Sequence, residues 1–342
     1  MKERALRVMF FTPYYHQNRG NSTTARRIQY GLQQVDVSVY IYAYEEEPFT
    51  QEIREKMEQA DVFHILQFAR FLRWAQKQQI ALNKPYLITS GGTDVNHSLK
   101  EDEKRYTPLL HNAKAITVFT DKAKEALIND HGFLDKDVYI IPQSVYLPDH
   151  KGDRKVKLPK GLPKILLPAG LRSVKDVLNA VPVLEKLKAE YPQVVFLIIG
   201  ANLDETVFEE VRGACKKYEW LHYLPEVDLS MMKVVYQWAD IVINTSISEG
   251  QPTSLLEAMS VHRPVIARDN TGNTSIVKDK VNGLVYRDSN ELYDSILKLL
   301  SDPIFVQKVI RNGYQTVKEN HNIKKEIQSY VTLYEKIKER NE

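Results

Sequence analysis

Short apolar runs alternate with amphipathic stretches along the whole chain. Residues 6–12 form the first run, end at Pro13, and read as a buried strand. A polar loop over 14–22 leads into a helix for which Thr23 or Thr24 is the expected cap, with Ile28 and Leu32 turned inward. Further strands are predicted at 35–42, 61–66, 84–89, 115–119 and 138–142, with helices at 52–59 and 68–79 between them. The same rhythm restarts at 165–167 and continues through 194–200, 221–224, 239–243, 264–267 and 283–286. The intervening helices are expected at 175–191, at 204–218, up to Trp238 and from Thr253, with helix again from residue 289 onward. Strand runs separated by helices indicate an α/β chain with two doubly wound parallel sheets. The segment 147–164 carries Pro148, Gly152, Pro159, Gly161 and Pro163 among scattered basic residues, and reads as the linker. The domains are therefore expected at 1–147 and 148–319, with residues 320–342 as a terminal helix. The halves share a rhythm but no sequence repeat.

Composition changes this picture little. The 342 residues suit about two domains. With 43% hydrophobic residues the chain can build full cores. A net charge of +3 argues against a dedicated nucleic-acid binder while leaving room for a local basic site. Cys215 is the single cysteine, which excludes an internal disulfide and a cysteine-rich zinc site and suits a reducing compartment. No run approaches the ~20 apolar residues of a membrane span, and the N-terminal run is too short for a signal peptide. A cytoplasmic protein is expected, with peripheral membrane contact left open and the oligomeric state undetermined.

Ligands of doubly wound sheets bind beyond the carboxyl ends of the strands, so the loops there are the candidates. In the first half these are Gly20, Asn21 and Thr24 after the first strand, His64 at the third, and Gly91-Gly92-Thr93-Asp94 after the fourth. Each also has an ordinary reading: a loop and cap, a core histidine, a capping aspartate. In the second half, Gly170-Leu171-Arg172-Ser173-Val174-Lys175 follows a strand, and Arg and Lys are the natural partners of phosphate. Gly200 and the polar loop 268–273 lie at the same edge.

The most informative stretch is 243–259. A buried strand ends in the turn Glu249-Gly250-Gln251-Pro252 and resumes as a helix at Thr253, with Ser254 in its first turn and Leu255, Leu256 and Met259 on its apolar face. A helix start offers unpaired N–H groups to an anion. Glu257 lies one turn inside that helix, and a carboxylate there suits a vicinal diol such as ribose. Two solvated glutamates favoured by the helix dipole are the alternative.

Ser248-Glu249-Gly250, Leu255-Leu256-Glu257-Ala258-Met259 and Pro264-Val265-Ile266-Ala267 together resemble the Glu-x7-Glu signature of the retaining nucleotide-sugar glycosyltransferases of family 4, which have the GT-B fold. Gly170 to Lys175 resembles that family's donor-diphosphate region, and 282–286 its last strand. Gly91 to Asn96 and Gly170 to Asp176 are shared with the short proteins that contain one such domain. The resemblance implies two Rossmann-like domains facing across a cleft, the second binding the donor, and a last helix returning to the first. It implies that Glu257 binds the ribose hydroxyls, Glu249 the transferred sugar, and Arg172 and Lys175 the diphosphate. Gly250, Thr253, Ser254 and Leu255 would line the donor, with Gly170 and Gly200, and Asp94 would contact the sugar. Gly20, Asn21, Thr24, His64 and Gly92 would face the acceptor. The donor would be a UDP-sugar, or alternatively a GDP-sugar, with no metal or other cofactor and an unknown acceptor.

Gly91 stands where many members carry a histidine. That motivates an alternative, a catalytically silent sugar-nucleotide-binding protein. Gly20-Asn21 with Thr24-Ala25 and Arg27 also resembles the first loop of transferases acting on a small selenium nucleophile, which is a second alternative for the acceptor. A nicotinamide-dependent oxidoreductase would share the fold class, but no G-x-G-x-x-G follows the first strand.

Overall fold

The computed structural model describes residues 4–17, 19–90, 94–150, 152 and 155–339, without the side chains of Asn96 and His97. The chain divides into two compact units, Met1–Gln143 with Ile323–Glu342, and Ser144–Asn322.

The first unit holds a six-stranded parallel sheet of β1 (Leu6–Thr12), β2 (Val37–Ala43), β3 (Val62–Leu66), β4 (Tyr86–Thr89), β5 (Ala115–Val118) and β6 (Val138–Ile140), in the order β2-β1-β3-β4-β5-β6. Both faces are covered, which is why its strands read as apolar runs without alternation. In β1, Met9 and Phe11 enter one core with Phe63, Phe71 and Trp74, while Val8 and Phe10 enter the other with Ile28 and Leu32.

The second core is closed by the helix Ile323–Glu339 through Ile327, Tyr330, Leu333, Tyr334 and Ile337. This helix is tied to the helix Gly20–Leu32 by an ion pair that water barely reaches. Arg27 donates from Nε to Glu326 Oε2 at 2.9 Å and from Nη2 to Oε1 at 3.0 Å, and each side chain is only 1% exposed.

The second unit holds β7 (Lys164–Pro168), β8 (Val195–Ile199), β9 (Leu221–Leu224), β10 (Ile241–Asn244), β11 (Val265–Arg268) and β12 (Leu284–Tyr286), again all parallel, in the order β12-β11-β10-β7-β8-β9. The direction of strand addition reverses between β7 and β10. In doubly wound sheets ligands bind outside the carboxyl ends of the strands at such a switch point.

Three local expectations are corrected. The helix after β1 starts at Gly20 and has Arg19 at its cap position. Thr23 and Thr24 are inside it and donate back to the carbonyls of Arg19 and Gly20, as mid-helix threonines do. Instead of a helix over 175–191, a short 3-10 turn at Ser173–Lys175 is followed by a bend and a helix only at Val181–Leu187. Asp176 takes a left-handed backbone, φ 43°, and Pro182 sets the helix start. The segment 147–164 does not stand free as a linker. Val145, Leu147, Val156 and Leu158 pack on the second unit's core, and Trp238 Nε1 donates to the Pro159 carbonyl at 3.1 Å. The division between units falls earlier, after Gln143. No helix among the described residues is long and apolar enough to cross a membrane.

Removing one member of a buried ion pair strands the other charge, at a cost of about 3–5 kcal/mol. Glu326→Ala should lower the stability of the first unit by that amount in chemical unfolding followed at Trp74. The double variant Arg27→Leu/Glu326→Leu, which leaves no orphan charge, should lose markedly less.

Candidate active site

The switch point of the second unit carries a concentrated polar cluster. Asn244 ends β10, the loop to Pro252 follows, and the helix Thr253–Ser260 begins. Lys175 comes from the loop after β7. Its Nζ donates to Glu249 Oε1 at 2.5 Å. The same oxygen accepts from Ser246 Oγ at 2.7 Å and from Asn244 Nδ2 at 3.2 Å. Burial alone would raise the Glu249 pKa. The Lys175 charge and the three hydrogen bonds outweigh it and hold the carboxyl below its ordinary value. Glu249 is thus an anion inside the protein, matched to one cation.

A ring of contacts fixes these groups. Asn273 Nδ2 donates to Asn244 Oδ1 and to the Arg268 carbonyl, at 3.2 and 2.8 Å. Asn270 Nδ2 donates to the Ser246 carbonyl at 2.8 Å. Gly272 passes so close to Glu249 that a Cβ on it would lie 2.4 Å from the Glu249 carbonyl oxygen. Arg268 reaches Asp176 Oδ2 at 2.6 Å and the Thr245 carbonyl at 3.2 Å. Thr245 Oγ1 donates to the Lys175 carbonyl, and the Ile247 N–H to the Val174 carbonyl. The loops after β7 and β10 are therefore stitched together, and Lys175 is aimed by its backbone as well as by its ion pair. The sequence marked 268–273 only as a polar loop, and Arg268, Asn270, Gly272 and Asn273 emerge as the residues that hold it.

Thr253 and Ser254 occupy the first turn of their helix and are half-buried. Pro252 precedes it, and no side chain at that cap position accepts from the first turn. Gly250 is half-buried in the same turn. The Leu255 side chain is wholly buried in the core beside Leu256, Ala258 and Met259, so its contribution to a ligand is limited to its backbone. Glu257 is buried one turn in, and Tyr236 donates from its hydroxyl to Oε2 at 2.7 Å. Tyr236 was not singled out by the sequence, where it is one apolar-face residue of a helix. Arg172 is exposed on extended backbone immediately before the Ser173–Lys175 turn, and the Lys175 N–H bonds its carbonyl. Gly170 and Gly200 serve packing between the loops after β7 and β8. A Cβ on Gly200 would sit 2.2 Å from the Ala169 carbonyl oxygen, and one on Gly170 would crowd Leu203.

The first-unit candidates divide. Gly20 opens its helix in open space, and Asn21 beside it is half-buried. Thr24 is buried and shares a 3.1 Å hydrogen bond with Gln143. Gly92 lies outside the described residues, as do Gly91 and Thr93. Asp94 begins a π-helical turn, is fully buried, and accepts from Ser90 Oγ at 2.5 Å and from the Phe68 N–H at 3.2 Å. Burial pushes its carboxyl up to about 6, against the pull of those hydrogen bonds. His64 is corrected. It lies within β3, not beyond it, and is completely buried, with Nδ1 2.6 Å from the Tyr334 hydroxyl and Nε2 2.7 Å from Thr89 Oγ1. Burial lowers its pKa to about 3, so it is a neutral core histidine and no cleft residue.

Residues 149–316 match the family model described as glycosyl transferases group 1. Over 343 aligned positions the chain is 27% identical to glycosyltransferase 1 domain-containing protein 1 of Xenopus tropicalis, covering 95% of this chain and 96% of that one. It is 25% identical to the alpha-monoglucosyldiacylglycerol synthase of Acholeplasma laidlawii over 43% of this chain and 37% of that one. Among solved structures, Anabaena HepE in complex with UDP and glucose superposes with a TM-score of 0.77 at 13% identity, covering 96% of this chain and 98% of that one. The sucrose-phosphate synthase of Thermosynechococcus elongatus gives 0.75 at 18%, covering 97% and 99%. The fold is the GT-B class of two doubly wound parallel sheets.

The buried histidine makes stability depend on pH with a definite sign. Its pKa is near 6.5 when unfolded and about 3 when folded. Between these values the unfolded chain binds the extra proton, so stability present above 6.5 is lost as pH falls toward 3, at about 1.4 kcal/mol per pH unit at most. Asp94, raised from 3.8 to about 6, acts in the opposite sense over part of that window. His64→Phe should therefore flatten the acid limb relative to wild type in unfolding measured from pH 7 to 4, whatever its effect at pH 7.

Proposed function

We propose, for a chain whose residues 149–316 match the model of the group 1 glycosyl transferases, a retaining, metal-independent transfer of a sugar from a nucleotide-diphosphate sugar. The observation that carries this reading is the Lys175–Glu249 pair beside the start of the helix Thr253–Ser260, at the switch point of a doubly wound sheet. A diphosphate needs donors and positive charge, and a helix start next to a lysine supplies both. Arg172 lies three residues before Lys175 and completes the cationic side. Thr253 and Ser254 offer backbone N–H groups to the same phosphates. Glu257 takes the ribose hydroxyls and Glu249 the sugar. Gly20, Asn21 and Thr24 are kept as the acceptor side, whereas Asp94, fully buried and bonded to Ser90 and the Phe68 N–H, is not carried forward as a sugar contact. UDP is favoured over GDP as the nucleotide because the HepE complexes contain UDP and UDP-glucose.

In the reaction the bond from the sugar's anomeric carbon to the phosphate oxygen breaks, and its electron pair leaves with the nucleoside diphosphate. The acceptor forms the new bond on the same face and gives up its proton. Charge develops on the departing phosphate, and a fixed cation there stabilises the transition state more than the ground state. Lys175, whose Nζ is held at Glu249, is the cation assigned to this role. The acceptor chemistry is open.

Thermal unfolding with a panel of nucleotides and UDP- and GDP-sugars should show stabilisation by the cognate donor, since a ligand of the folded state raises stability by mass action. Glu257→Ala should abolish most of that shift. Lys175→Ala should lower turnover by about 10²-fold or more, the scale of losing one preorganised charge-stabilising donor. Product analysis should return the donor's anomeric configuration. A chain that binds no nucleotide sugar, or a Lys175→Ala variant with full turnover, would sink the proposal.

A further inference from the structure

Glu257 cannot be an isolated ribose ligand, because its carboxylate is held by another side chain. The helix Leu229–Trp238 packs on the helix Thr253–Ser260 within the core formed by Val235, Tyr236, Leu255, Leu256 and Met259. In that apolar contact a phenol and a carboxylate meet. Tyr236 is 1% exposed and Glu257 6%. The hydroxyl donates to Oε2 at 2.7 Å. Burial, followed by the neighbouring Glu257 charge, raises the Tyr236 pKa well above its ordinary value. The phenol therefore stays protonated and its role in the pair is fixed as donor.

We propose that Tyr236 is a positioning residue for donor recognition: it fixes the orientation of the Glu257 carboxylate so that the group is set to receive the two hydroxyls of a ribose. This rests on the reading of Glu257 given above. The physical argument concerns the last side-chain torsion of a glutamate, which is broad and soft. A carboxylate that must accept from two neighbouring hydroxyls at once gains most when its plane is already set. A rigid aromatic donor with two side-chain torsions, anchored in the core, sets it at small entropic cost. The hydrogen bond also compensates burial of the charge, and one made to a charged group is among the stronger kind. Without it the carboxylate loses a rigid donor on Oε2 and with it part of its orientation. Ribose selectivity then depends on a residue that itself touches no part of the donor.

The test compares wild type and Tyr236→Phe, a change that keeps the ring and removes the hydroxyl. Calorimetric affinities are measured for UDP, for GDP, and for the 2′-deoxy and 3′-deoxy forms of whichever binds tighter. Wild type should prefer the ribonucleotide by about tenfold or more, and Tyr236→Phe should lose most of that preference while binding the deoxy forms as wild type does. In turnover the variant should raise KM for the donor with kcat nearly unchanged. Combined with Glu257→Gln, the losses should not add. If wild type discriminates and Tyr236→Phe discriminates equally, the inference is overturned and the Glu257 reading stands. If wild type itself does not distinguish ribose from deoxyribose, the Glu257 reading falls and takes the inference with it. A purely structural role for the hydroxyl would weaken all ligands alike, which also overturns the proposal. Matching circular dichroism spectra of the two proteins establish that folded chains are being compared.

Discussion

An anion inside a protein has to be matched, and in the second unit that demand falls on one oxygen of Glu249. Lys175, Asn244 and Ser246 converge on it. Each of these is held in turn: Asn244 by Asn273, Ser246 by Asn270, and the Lys175 backbone by Thr245. Taking away any one would leave the others badly paired in a low-dielectric setting. The close passage of Gly272 and the Arg268–Asp176 pair belong to the same solution. The site is therefore built as a unit from three loops, those after β7, β10 and β11.

The first unit meets a similar constraint differently. Its polar interior serves cohesion. His64, Thr89, Thr117, Tyr330 and Tyr334 form a hydrogen-bonded patch between the sheet and the last helix. With the Arg27–Glu326 pair, it gives that helix one register on the sheet, where apolar side chains alone would tolerate several. Both units thus use buried polarity for geometry, one at the candidate site and the other at a seam.

How much of this was legible depended on how local each signal is. The parallel strands read out well because both faces are covered and the runs are apolar throughout. Glu249, Glu257 and the helix start at Thr253 were visible because strand, turn and helix follow one another within 243–259. Lys175 was found, but as part of a helix, since nothing in Ser173-Val174-Lys175 announces that Asp176 turns left-handed. His64 fell inside a predicted strand, with a cleft reading and a core reading both open. What makes it core is Tyr334, 270 residues away. Tyr236 carried no signal and Asn273 only its place in a polar loop, because their roles exist only once helices and loops from different parts of the chain have met.

The two segments of the first unit, before Ser144 and after Asn322, enclose the second unit as an insertion in the chain. The order of manufacture follows from this. During synthesis from the N-terminus, the first six strands emerge early, but one face of their sheet has only the helix Gly20–Leu32 to cover it until the helix Ile323–Glu339 has been made. The second unit is contiguous and can complete its fold while the first still waits. The unit that comes first in the chain is thus the last to be finished, and in the interval the side chains of Val8, Phe10, Val62 and Leu87 lack the helix that seals them. A nascent chain stalled before residue 323 would carry an intact second unit and an incompletely sealed, aggregation-prone first one.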